Sequence, residues 1–314
     1  MDLELDAPTF FSGPYLDRRS EMRETDAGLE EARADPNVRY IVSCGTAHLM
    51  HGGPGGPAEP RIAFLPGADP TVRAARPEDL VLLGWFEGSP CILVDLGEGC
   101  AVELPENTRL EELRPLAARV SRGEAQLLAT ARALAIWRAR HRFCGNCGSR
   151  TRPERAGHVL RCSNPGCAQP IFPRIDPAII VLVTDGARAL LGRQPSWPEG
   201  RYSTIAGFVE PGESLEDAVA REVLEETAVR VTHVDYHSSQ PWPFPSSLML
   251  GFLARAAAGA KIRVGGELAD ARWFSRAEIA SGTPILPPSH AISFRLIAAW
   301  FDAAANAPLQ TLRP

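Results

Sequence analysis

The segment from Gly207 to Val229, GFVEPGESLEDAVAREVLEETAV, constrains the fold of this chain more than any other part of the sequence. Ser214 is a suitable N-cap residue and Asp217 occupies the N3 position. The apolar residues that follow recur at helical spacing, at Leu215, Ala218, Val219 and Val223. The pattern predicts a helix over roughly 215–227, directly after the strand-like sequence RYSTIAGFV.

Several carboxylates accompany this predicted helix. Glu222, Glu225 and Glu226 stand at i, i+3 and i+4 and therefore share one face, and Glu213 precedes the helix. Like charges at this spacing destabilise a helix, and the basic group interleaved with them is Arg221. Mg²⁺ and Mn²⁺ take oxygen ligands and are shared between carboxylates and phosphates. The cluster indicates a divalent-cation site, and a solvated acidic helix face is the alternative.

The wider spacing resembles the Nudix box, G-x5-E-x7-R-E-U-x-E-E-x-G-U. The matching residues are Gly207, Glu213, Arg221, Glu222, Val223, Glu225 and Glu226. One position departs from the family, because Ala228 stands where the box has its last glycine. Glycine there permits a left-handed residue at the helix end, and alanine in that conformation is strained by about 1 kcal/mol. The departure concerns the local turn and leaves the metal site in place.

The resemblance implies roles for these residues. Glu222 and Glu226 would be the main ligands, Glu225 a further ligand or an aid to the base, and Arg221 the residue that orients them. Many Nudix enzymes have one more glutamate outside the box. Glu267 stands in that place, and an exposed loop acid is the alternative reading. The implied metal ligands are the backbone carbonyl of Ala206 and the side chains of Glu222, Glu225, Glu226 and Glu267.

The reaction implied is attack of water on one phosphorus of a diphosphate. Two or more Mg²⁺ or Mn²⁺ ions would neutralise the phosphate oxygens and lower the pKa of the water. A glutamate would then accept the proton. The sequence leaves Glu225, Glu226 and Glu267 open as that base.

A second motif, SQPWPFPSSLM, runs from Ser239 to Met249. Its three prolines remove backbone donors, which excludes a central sheet strand and predicts a stiff, extended loop. In an extended chain Gln240, Trp242, Phe244 and Ser246 share one face. Such a face suits stacking on a flat ring and hydrogen bonds to a ribose or amide. Aromatic residues that simply fill a core are the alternative.

SQPWPFPxS at this distance after the Nudix box is similar to the signature of NADH pyrophosphatases of the NudC type. The resemblance covers the chain from about residue 110 to the C-terminus. It implies hydrolysis of NADH or NAD to a nicotinamide mononucleotide and AMP, with NAD-capped RNA as a second substrate, and a homodimer. The implied substrate-binding residues are Gln240, Pro241, Trp242, Pro243, Phe244, Pro245, Ser246 and Ser247.

Four of the seven cysteines form a cluster, Cys144-x2-Cys147 and Cys162-x4-Cys167. Four thiolates suit one tetrahedral Zn²⁺ and leave no open coordination position, so the spacing predicts a structural zinc. In the similar enzymes an aromatic residue after this ribbon contacts the substrate base, and here Phe172 replaces a tyrosine. Stacking would be retained without the hydroxyl contact.

Arginines surround the cysteine cluster, at positions 140, 142, 150, 152, 155 and 161. They suit a nucleic-acid module, phosphates of a dinucleotide, or plain solvation of a small fold. The formal net charge of −5 gives no general reason for tight binding to nucleic acid. The odd cysteine count, with Cys44, Cys91 and Cys100 scattered, favours a reducing compartment and a metal site over a disulfide framework. No secretory signal or apolar stretch for a membrane span is evident, so we expect a cytoplasmic protein.

The predicted fold class is α+β, an α-β-α sandwich: a Nudix fold with an N-terminal α+β domain and an inserted zinc ribbon. The predicted parts are an N-terminal domain at 1–115 with a partly loose start, a connecting helix at 116–142, the ribbon at 143–173 and the catalytic domain at 174–314. The short apolar runs between Val38 and Leu104 are expected to be strands, and residues 110–142 helical.

Two other functions fit parts of the sequence. One is a Nudix hydrolase that prefers ADP-ribose, FAD or a diadenosine polyphosphate, against which the QPWPFP motif speaks. The other is a zinc-ribbon RNA-binding protein with a passive Nudix scaffold. The intact glutamates Glu222, Glu225 and Glu226 argue against that second alternative.

Overall fold

The computed structural model describes residues 8–52, 59–100, 103–117 and 119–312. The first residues of the polar start, and residues 53–58 of the Gly/Pro-rich stretch HGGPGGPAEP, lie outside this range. Contacts divide the chain into two compact units. The N-terminal unit comprises residues 10–175 with Trp242–Ser246, and the C-terminal unit comprises 176–241 and the residues from 247 onward, with residues 8 and 9.

The described part of the N-terminal unit contains a seven-stranded sheet. The strands follow the order β1-β5-β6-β2-β3-β4, and β7 pairs with β3. They are β1 (Leu16–Asp17), β2 (Arg39–Cys44), β3 (Ala47–His51), β4 (Arg61–Ile62), β5 (Leu80–Phe86), β6 (Ser89–Asp95) and β7 (Thr108–Glu112). The helices are α1 (Ala27–Ala34), α2 (Pro70–Ala74), α3 (Leu113–Leu116) and α4 (Arg122–Arg140), and 3-10 turns cover Ser20–Arg23 and Pro77–Asp79.

This sheet carries a core on each face, because alternate side chains of a strand point to opposite sides. On β2, Ile41 packs in one cluster with Leu127 and Leu128 of α4, whereas Val42 packs in the other cluster with Leu29 of α1. Ser121 caps the start of helix α4, and its hydroxyl accepts a hydrogen bond from the Glu124 N–H at 3.2 Å. The predicted connecting helix is therefore part of the N-terminal core.

The strands predicted between residues 38 and 104 are present except for the last one. Residues 101 and 102 of that run, CAVEL, lie outside the described range, and 103–104 are not in a strand. The helical prediction from Leu110 is wrong at its start, because β7 covers residues 108–112 and pairs with β3 in the antiparallel direction. Ladder hydrogen bonds to β3 override the local pattern there.

Three short strands form a separate sheet in the order β10-β9-β8. They are β8 (Thr151–Glu154), β9 (Val159–Cys162) and β10 (Pro170–Ile171). Leu160 of β9 packs in the same buried cluster as α4. The cysteine-containing segment therefore belongs to the N-terminal unit by its contacts, and the predicted four-part domain division stays a prediction.

The C-terminal unit is built on a sheet with the order β14-β15-β11-β12-β16, and β13 pairs with β11. Its strands are β11 (Asp176–Thr184), β12 (Arg188–Arg193), β13 (Ile205–Phe208), β14 (Val231–Trp242), β15 (Ser247–Ala256) and β16 (Asp270–Ser275). Its helices are α5 (Leu215–Thr227), α6 (Arg276–Ser281), α7 (Ile292–Asp302) and α8 (Leu309–Leu312). The Asp185-Gly186 turn joins β11 and β12 as predicted.

Helices cover both faces of this sheet. Ile179, Val181 and Val183 of β11 pack with the apolar stripe of α5, and Ile180 and Leu182 pack with α7. The alternation along one strand therefore separates two helical layers. The predicted α-β-α sandwich is confirmed.

The cysteines outside the cluster differ from expectation. Cys44 at the end of β2 and Cys100 are joined by a disulfide, with their Cα atoms 5.8 Å apart, while Cys91 is a buried free thiol. The chain fold brings the two sulfurs together across 56 residues of sequence, a proximity that spacing alone does not reveal. Cys44 and Cys100 therefore form a disulfide, although the cysteine pattern had favoured a metal site over a disulfide framework.

In the part of the chain that the structure describes, none of the helices has the length and apolar character that a membrane span requires.

Candidate active site and zinc site

Helix α5 begins with a complete capping box. The Asp217 N–H donates to the Ser214 hydroxyl at 3.1 Å, and the Ser214 N–H donates to the Asp217 carboxylate at 3.3 Å. Two of the free N–H groups at the helix start are thereby satisfied. The cap fixes where the helix begins and so which face carries Glu222 and Glu226.

The same helix ends at a left-handed residue. Ala228 has φ 57° and ψ 14°, and its N–H donates to the Leu224 carbonyl at 2.8 Å. Glycine adopts this conformation without the Cβ conflict that alanine incurs. The helix therefore keeps the turn for which the Nudix box uses glycine, although the residue is alanine.

Arg221 holds three acidic side chains together. Its Nε donates to Glu213 at 2.5 Å, and its Nη1 donates to Glu222 at 2.9 Å and to Glu225 at 3.2 Å. Its Nη2 reaches the Phe208 carbonyl at 2.9 Å. The hydrogen bonds from Arg221 lower the pKa of Glu213 and keep it ionised. The guanidinium thus relieves much of the repulsion on this helix face.

Glu222 packs directly on Gly207 of β13. A Cβ at Gly207 would lie 1.9 Å from the carboxyl carbon of Glu222, so a larger residue there would displace the Glu222 carboxylate. Gly207 and Ala206 pair with Ile179 and Ile180 of β11, so the sheet fixes their backbone. The Glu222 carboxylate therefore lies against the β13 backbone at Gly207, the residue that follows Ala206.

Glu226 is the most perturbed carboxyl group of this region. It is only 8% exposed, and burial, followed by repulsion from Glu222 and then Glu267, raises its pKa to about 7. Three acidic groups therefore interact around one buried position. Glu225 is turned outward, with its side chain 61% exposed, and pairs with Arg221.

The segment before Glu267 is docked on the C-terminal end of α5. The Arg263 N–H donates to the Thr227 carbonyl at 2.9 Å, and the Gly265 N–H donates to the Glu226 carbonyl at 2.7 Å. These bonds satisfy carbonyls that a helix end leaves without partners. They also bring Glu267 into electrostatic reach of Glu226.

The carboxylates fit a divalent cation by their chemistry. Glu222, Glu226 and Glu267 offer oxygen donors of like charge, and a hard cation would offset the repulsion that, after burial, raises the Glu226 pKa. The Nudix fold implies such a cation. The ligand set itself stays a prediction.

The four predicted zinc ligands are brought together. Within the described residues, Cys144, Cys147, Cys162 and Cys167 place their sulfur atoms within 4.8 Å of one another. Tetrahedral Zn–S bonds of 2.3 Å separate ligand sulfurs by about 3.8 Å, and here Cys144 and Cys167 are 3.8 Å apart and Cys147 and Cys162 are 3.3 Å apart. The cluster fits one structural zinc.

Local hydrogen bonds favour a thiolate in this cluster. The backbone and side chain of Ser149 lower the pKa of Cys147 to about 6, whereas burial raises the pKa of Cys162 to about 12. A thiolate is the form that binds zinc.

Phe172, which follows the cluster, is 60% exposed and so presents its ring to solvent.

The QPWPFP motif has a different shape from the predicted extended loop. Strand β14 lies at a sheet edge and includes Pro241 and Trp242, and residues 243–246 form a turn into β15. The Phe244 N–H donates to the Trp242 carbonyl at 2.8 Å, which folds the chain back. Exclusion from a central strand is confirmed, and the extended shape is wrong.

The motif residues also have different surroundings. Gln240 is fully buried, its amide donates to the His290 carbonyl at 2.9 Å, and its side-chain oxygen accepts from the Ile292 N–H at 2.8 Å. Trp242 and Phe244 instead pack on Phe11 in the N-terminal unit, with ring centroids 6.3 and 5.9 Å away. The expected single face of alternating residues is therefore not formed, because the turn interrupts it.

Two basic residues beside Phe244 were not identified from the sequence. Arg114 and Arg132 place their guanidinium carbons 4.3 and 5.6 Å from the Phe244 ring centroid. Arg132 sits in the otherwise apolar run LLATARALAIW of α4. A charge on a buried helix is the signal that would have indicated it.

Family models match three successive parts of the chain. They describe an NADH pyrophosphatase-like rudimentary NUDIX domain at residues 41–137, an NADH pyrophosphatase zinc ribbon domain at 139–172 and a NUDIX domain at 174–300. Together with the sandwich around β11 and the glutamates of α5, these matches define the class of protein as a Nudix hydrolase.

Comparison with similar proteins identifies the family within the Nudix hydrolases. The chain is 33% identical over 345 residues to the human NAD-capped RNA hydrolase NUDT12, covering 95% of this chain and 74% of that protein. It is 40% identical over 226 residues to the NAD-capped RNA hydrolase NudC of Pseudomonas syringae pv. syringae, covering 72% and 78%. A Nudix hydrolase structure from Nitrosomonas europaea matches with a TM-score of 0.41 and 21% identity over 52% of this chain and 92% of that chain. The chain belongs to the NudC-type NADH pyrophosphatase family of Nudix hydrolases.

Proposed function

We propose that this enzyme hydrolyses the diphosphate of NADH or NAD, releasing a nicotinamide mononucleotide and AMP, and also removes NAD caps from RNA. The observation that carries the proposal is the glutamate cluster at α5, where Arg221 bonds Glu213, Glu222 and Glu225 and where Glu226 is buried. The names of the two hydrolases reported above support the choice of NAD-containing substrates.

The proposed metal site uses the residues that resemble the Nudix ligands. Mg²⁺ or Mn²⁺, two ions or more, would be held by the Ala206 carbonyl, Glu222, Glu225, Glu226 and Glu267. When bound, such ions neutralise phosphate oxygens and lower the pKa of water.

The protein groups have separable tasks in this scheme. Arg221 orients Glu222 and Glu225 through its hydrogen bonds, so its task is positioning. The proton of the attacking water needs a base, for which Glu225, Glu226 and Glu267 are the candidates.

Substrate binding is proposed for the QPWPFP motif. Trp242 and Phe244 offer edge-to-face rings 5.3 Å apart, beside Pro241, Pro243 and Pro245. Ser246, Ser247 and the exposed ring of Phe172 complete the proposed set. Gln240 contributes by fixing the strand, since the main chain of residues 290 and 292 occupies its amide.

A substrate panel tests the proposal. Turnover of NADH, NAD-capped RNA, ADP-ribose, FAD and a diadenosine polyphosphate would be compared on one preparation, with products identified by mass. We expect the highest kcat/KM for NADH or NAD-capped RNA, with nicotinamide mononucleotide as a product. Much faster turnover of ADP-ribose would contradict the substrate assignment while leaving the Nudix chemistry intact.

A homodimer, which rests on family resemblance, and a cytoplasmic location, which rests on the expectation from the sequence, are further parts of the proposal. Light scattering of the purified protein measures the first, and fractionation of the source cells measures the second. A monomer with full activity would contradict the dimer.

A further inference from the structure

The turn that carries Trp242 and Phe244 has few backbone N–H groups with which to form hydrogen bonds of its own. Proline at 243 and at 245 removes two backbone donors, and the Phe244 N–H is used within the turn. Short polar turns are normally held by their own hydrogen bonds. This turn therefore depends on groups outside it.

Arg132 of α4 supplies the missing donor. Its Nε donates to the Pro243 carbonyl at 2.9 Å, and its guanidinium lies 5.6 Å from the Phe244 ring centroid. The carbonyl and the ring that follows it are thus held by one side chain. Both contacts lie within the N-terminal unit.

The guanidinium itself is fixed from its other side. Nη1 donates to the Thr46 carbonyl at 2.7 Å and to the Glu112 carboxylate at 3.0 Å, and the side chain is only 11% exposed. A planar guanidinium with partners on two edges has one orientation available. Movement of the turn would break a charge-assisted bond to a buried cation.

Phe244 is enclosed by further groups. Arg114 lies 4.3 Å from its centroid, and Phe11 and Trp242 meet it edge to face at 5.9 and 5.3 Å. Such contacts orient a ring as well as bury it. The orientation of Trp242 is coupled to that of Phe244 through their mutual contact.

We propose that Arg132 is a positioning residue for substrate binding, because it holds the Pro243 carbonyl and Phe244 in the geometry that receives the nucleotide. This inference rests on the proposed function, since it takes the turn as part of the binding site. Helix α4 would then contribute to substrate recognition through Arg132, in addition to packing in the core. Arg114 assists from its position beside the Phe244 ring.

The test compares Arg132→Gln and Arg132→Lys with two controls. Lysine keeps a positive charge near Glu112 but has one nitrogen, so it cannot serve Pro243, Thr46 and Glu112 at once. Glu112→Gln removes the ion pair and leaves the contact with Pro243. Arg73→Gln changes an exposed arginine of α2 that belongs to no proposed site.

We expect Arg132→Gln to raise the KM for NADH about tenfold, the effect of weakening one charge-assisted contact, with kcat within about twofold of the wild type. The KM of Arg132→Lys should lie between those of the wild type and Arg132→Gln. Glu112→Gln should raise the KM less than Arg132→Gln does, because the Thr46 carbonyl still holds the guanidinium, and Arg73→Gln should keep the wild-type KM. An unchanged KM in Arg132→Gln, or an equal rise in Glu112→Gln, would overturn the positioning role.

A double-variant cycle separates positioning from general stability. If Arg132 acts through Phe244, then Arg132→Gln combined with Phe244→Leu should have the KM of Phe244→Leu alone. If the double variant shows the product of the two single-variant effects on KM, then Arg132 does not act through Phe244 and the proposal is overturned. The melting temperature of each variant checks that the fold is retained.

Binding of the products, measured by calorimetry without metal, keeps the two proposals distinguishable. AMP or nicotinamide mononucleotide should bind about tenfold more weakly to Arg132→Gln than to the wild type. If wild-type enzyme does not hydrolyse NADH, the proposed function fails, and AMP binding still decides the role of Arg132. If hydrolysis is normal and neither product distinguishes the variant, only the positioning role fails.

Discussion

The backbone N–H of Gly265 donates to the carbonyl of Glu226 at 2.7 Å, at the position where α5 ends and Glu267 approaches it. A Cβ at Gly265 would lie 2.3 Å from the Glu225 carbonyl oxygen, so this approach requires glycine. The adjacent Gly266 has no atom within 4 Å of its Cβ position. There is therefore room for an alanine side chain at position 266 but not at position 265.

This difference gives the first prediction. Gly265→Ala should lower kcat for NADH hydrolysis by about 10- to 100-fold, because misplacement of a catalytic group by about 1 Å has effects of that order. Gly266→Ala should retain activity close to the wild type. Steady-state kinetics of the two purified variants decide the matter, and equal activity would show that the docked segment does not position Glu267.

Glu226 should be needed for the chemistry. Glu226→Gln keeps the size of the side chain and removes its charge, and we expect kcat/KM to fall by at least about 100-fold, beyond what groups that only orient a metal ligand cause. Glu216→Gln, an exposed change on the same helix, is the control and should be near neutral. Full hydrolysis with Mg²⁺ in Glu226→Gln would contradict the ligand role.

The left-handed Ala228 predicts that the wild-type chain is not at its stability optimum. Ala228→Gly should stabilise the fold by about 1 kcal/mol by removing the Cβ conflict, and raise the melting temperature by about 2–4 °C. Ala220→Gly, in the exposed interior of α5, should destabilise by about 1 kcal/mol. Calorimetric melting of both variants measures the opposite signs, and a lower melting temperature for Ala228→Gly would refute the assignment of strain.

The cysteine cluster should bind one zinc per chain. Cys147→Ser should reduce the zinc content measured by elemental analysis and lower the melting temperature, because structural zinc contributes roughly 10 kcal/mol or more to the folding of small metal domains. Cys91→Ala removes a buried thiol outside the cluster and should leave the zinc content unchanged. Full zinc occupancy in Cys147→Ser would exclude that ligand.

Local patterns allowed much of the fold and site to be predicted. The start, stripe and carboxylate face of α5 depend on spacing within one helix, and the zinc ligands form two short pairs. Both signals need no knowledge of distant parts of the chain. The core alternation on β11 follows from its apolar run in the same way.

Long-range contacts were beyond the sequence. The Cys44–Cys100 disulfide joins residues 56 apart, and Arg132 meets Pro243 across 111 positions. The turn at 243–246 was taken for an extended loop because three prolines restrict φ but do not determine where the rings pack. Strand β7 was missed for a similar reason, since its pairing partner lies more than 50 residues earlier in the chain.

The turn at 242–246 is encoded between two strands of the C-terminal unit, yet its contacts place it with the N-terminal unit. A gene fragment for residues 174–314 would inherit Trp242 and Phe244 without Phe11, Arg114 or Arg132. Domain shuffling would then transmit the glutamates of α5 but not the support of the aromatic pair. A working chimera should consequently need residues 10–175 and the Trp242–Ser246 turn from the same parent protein.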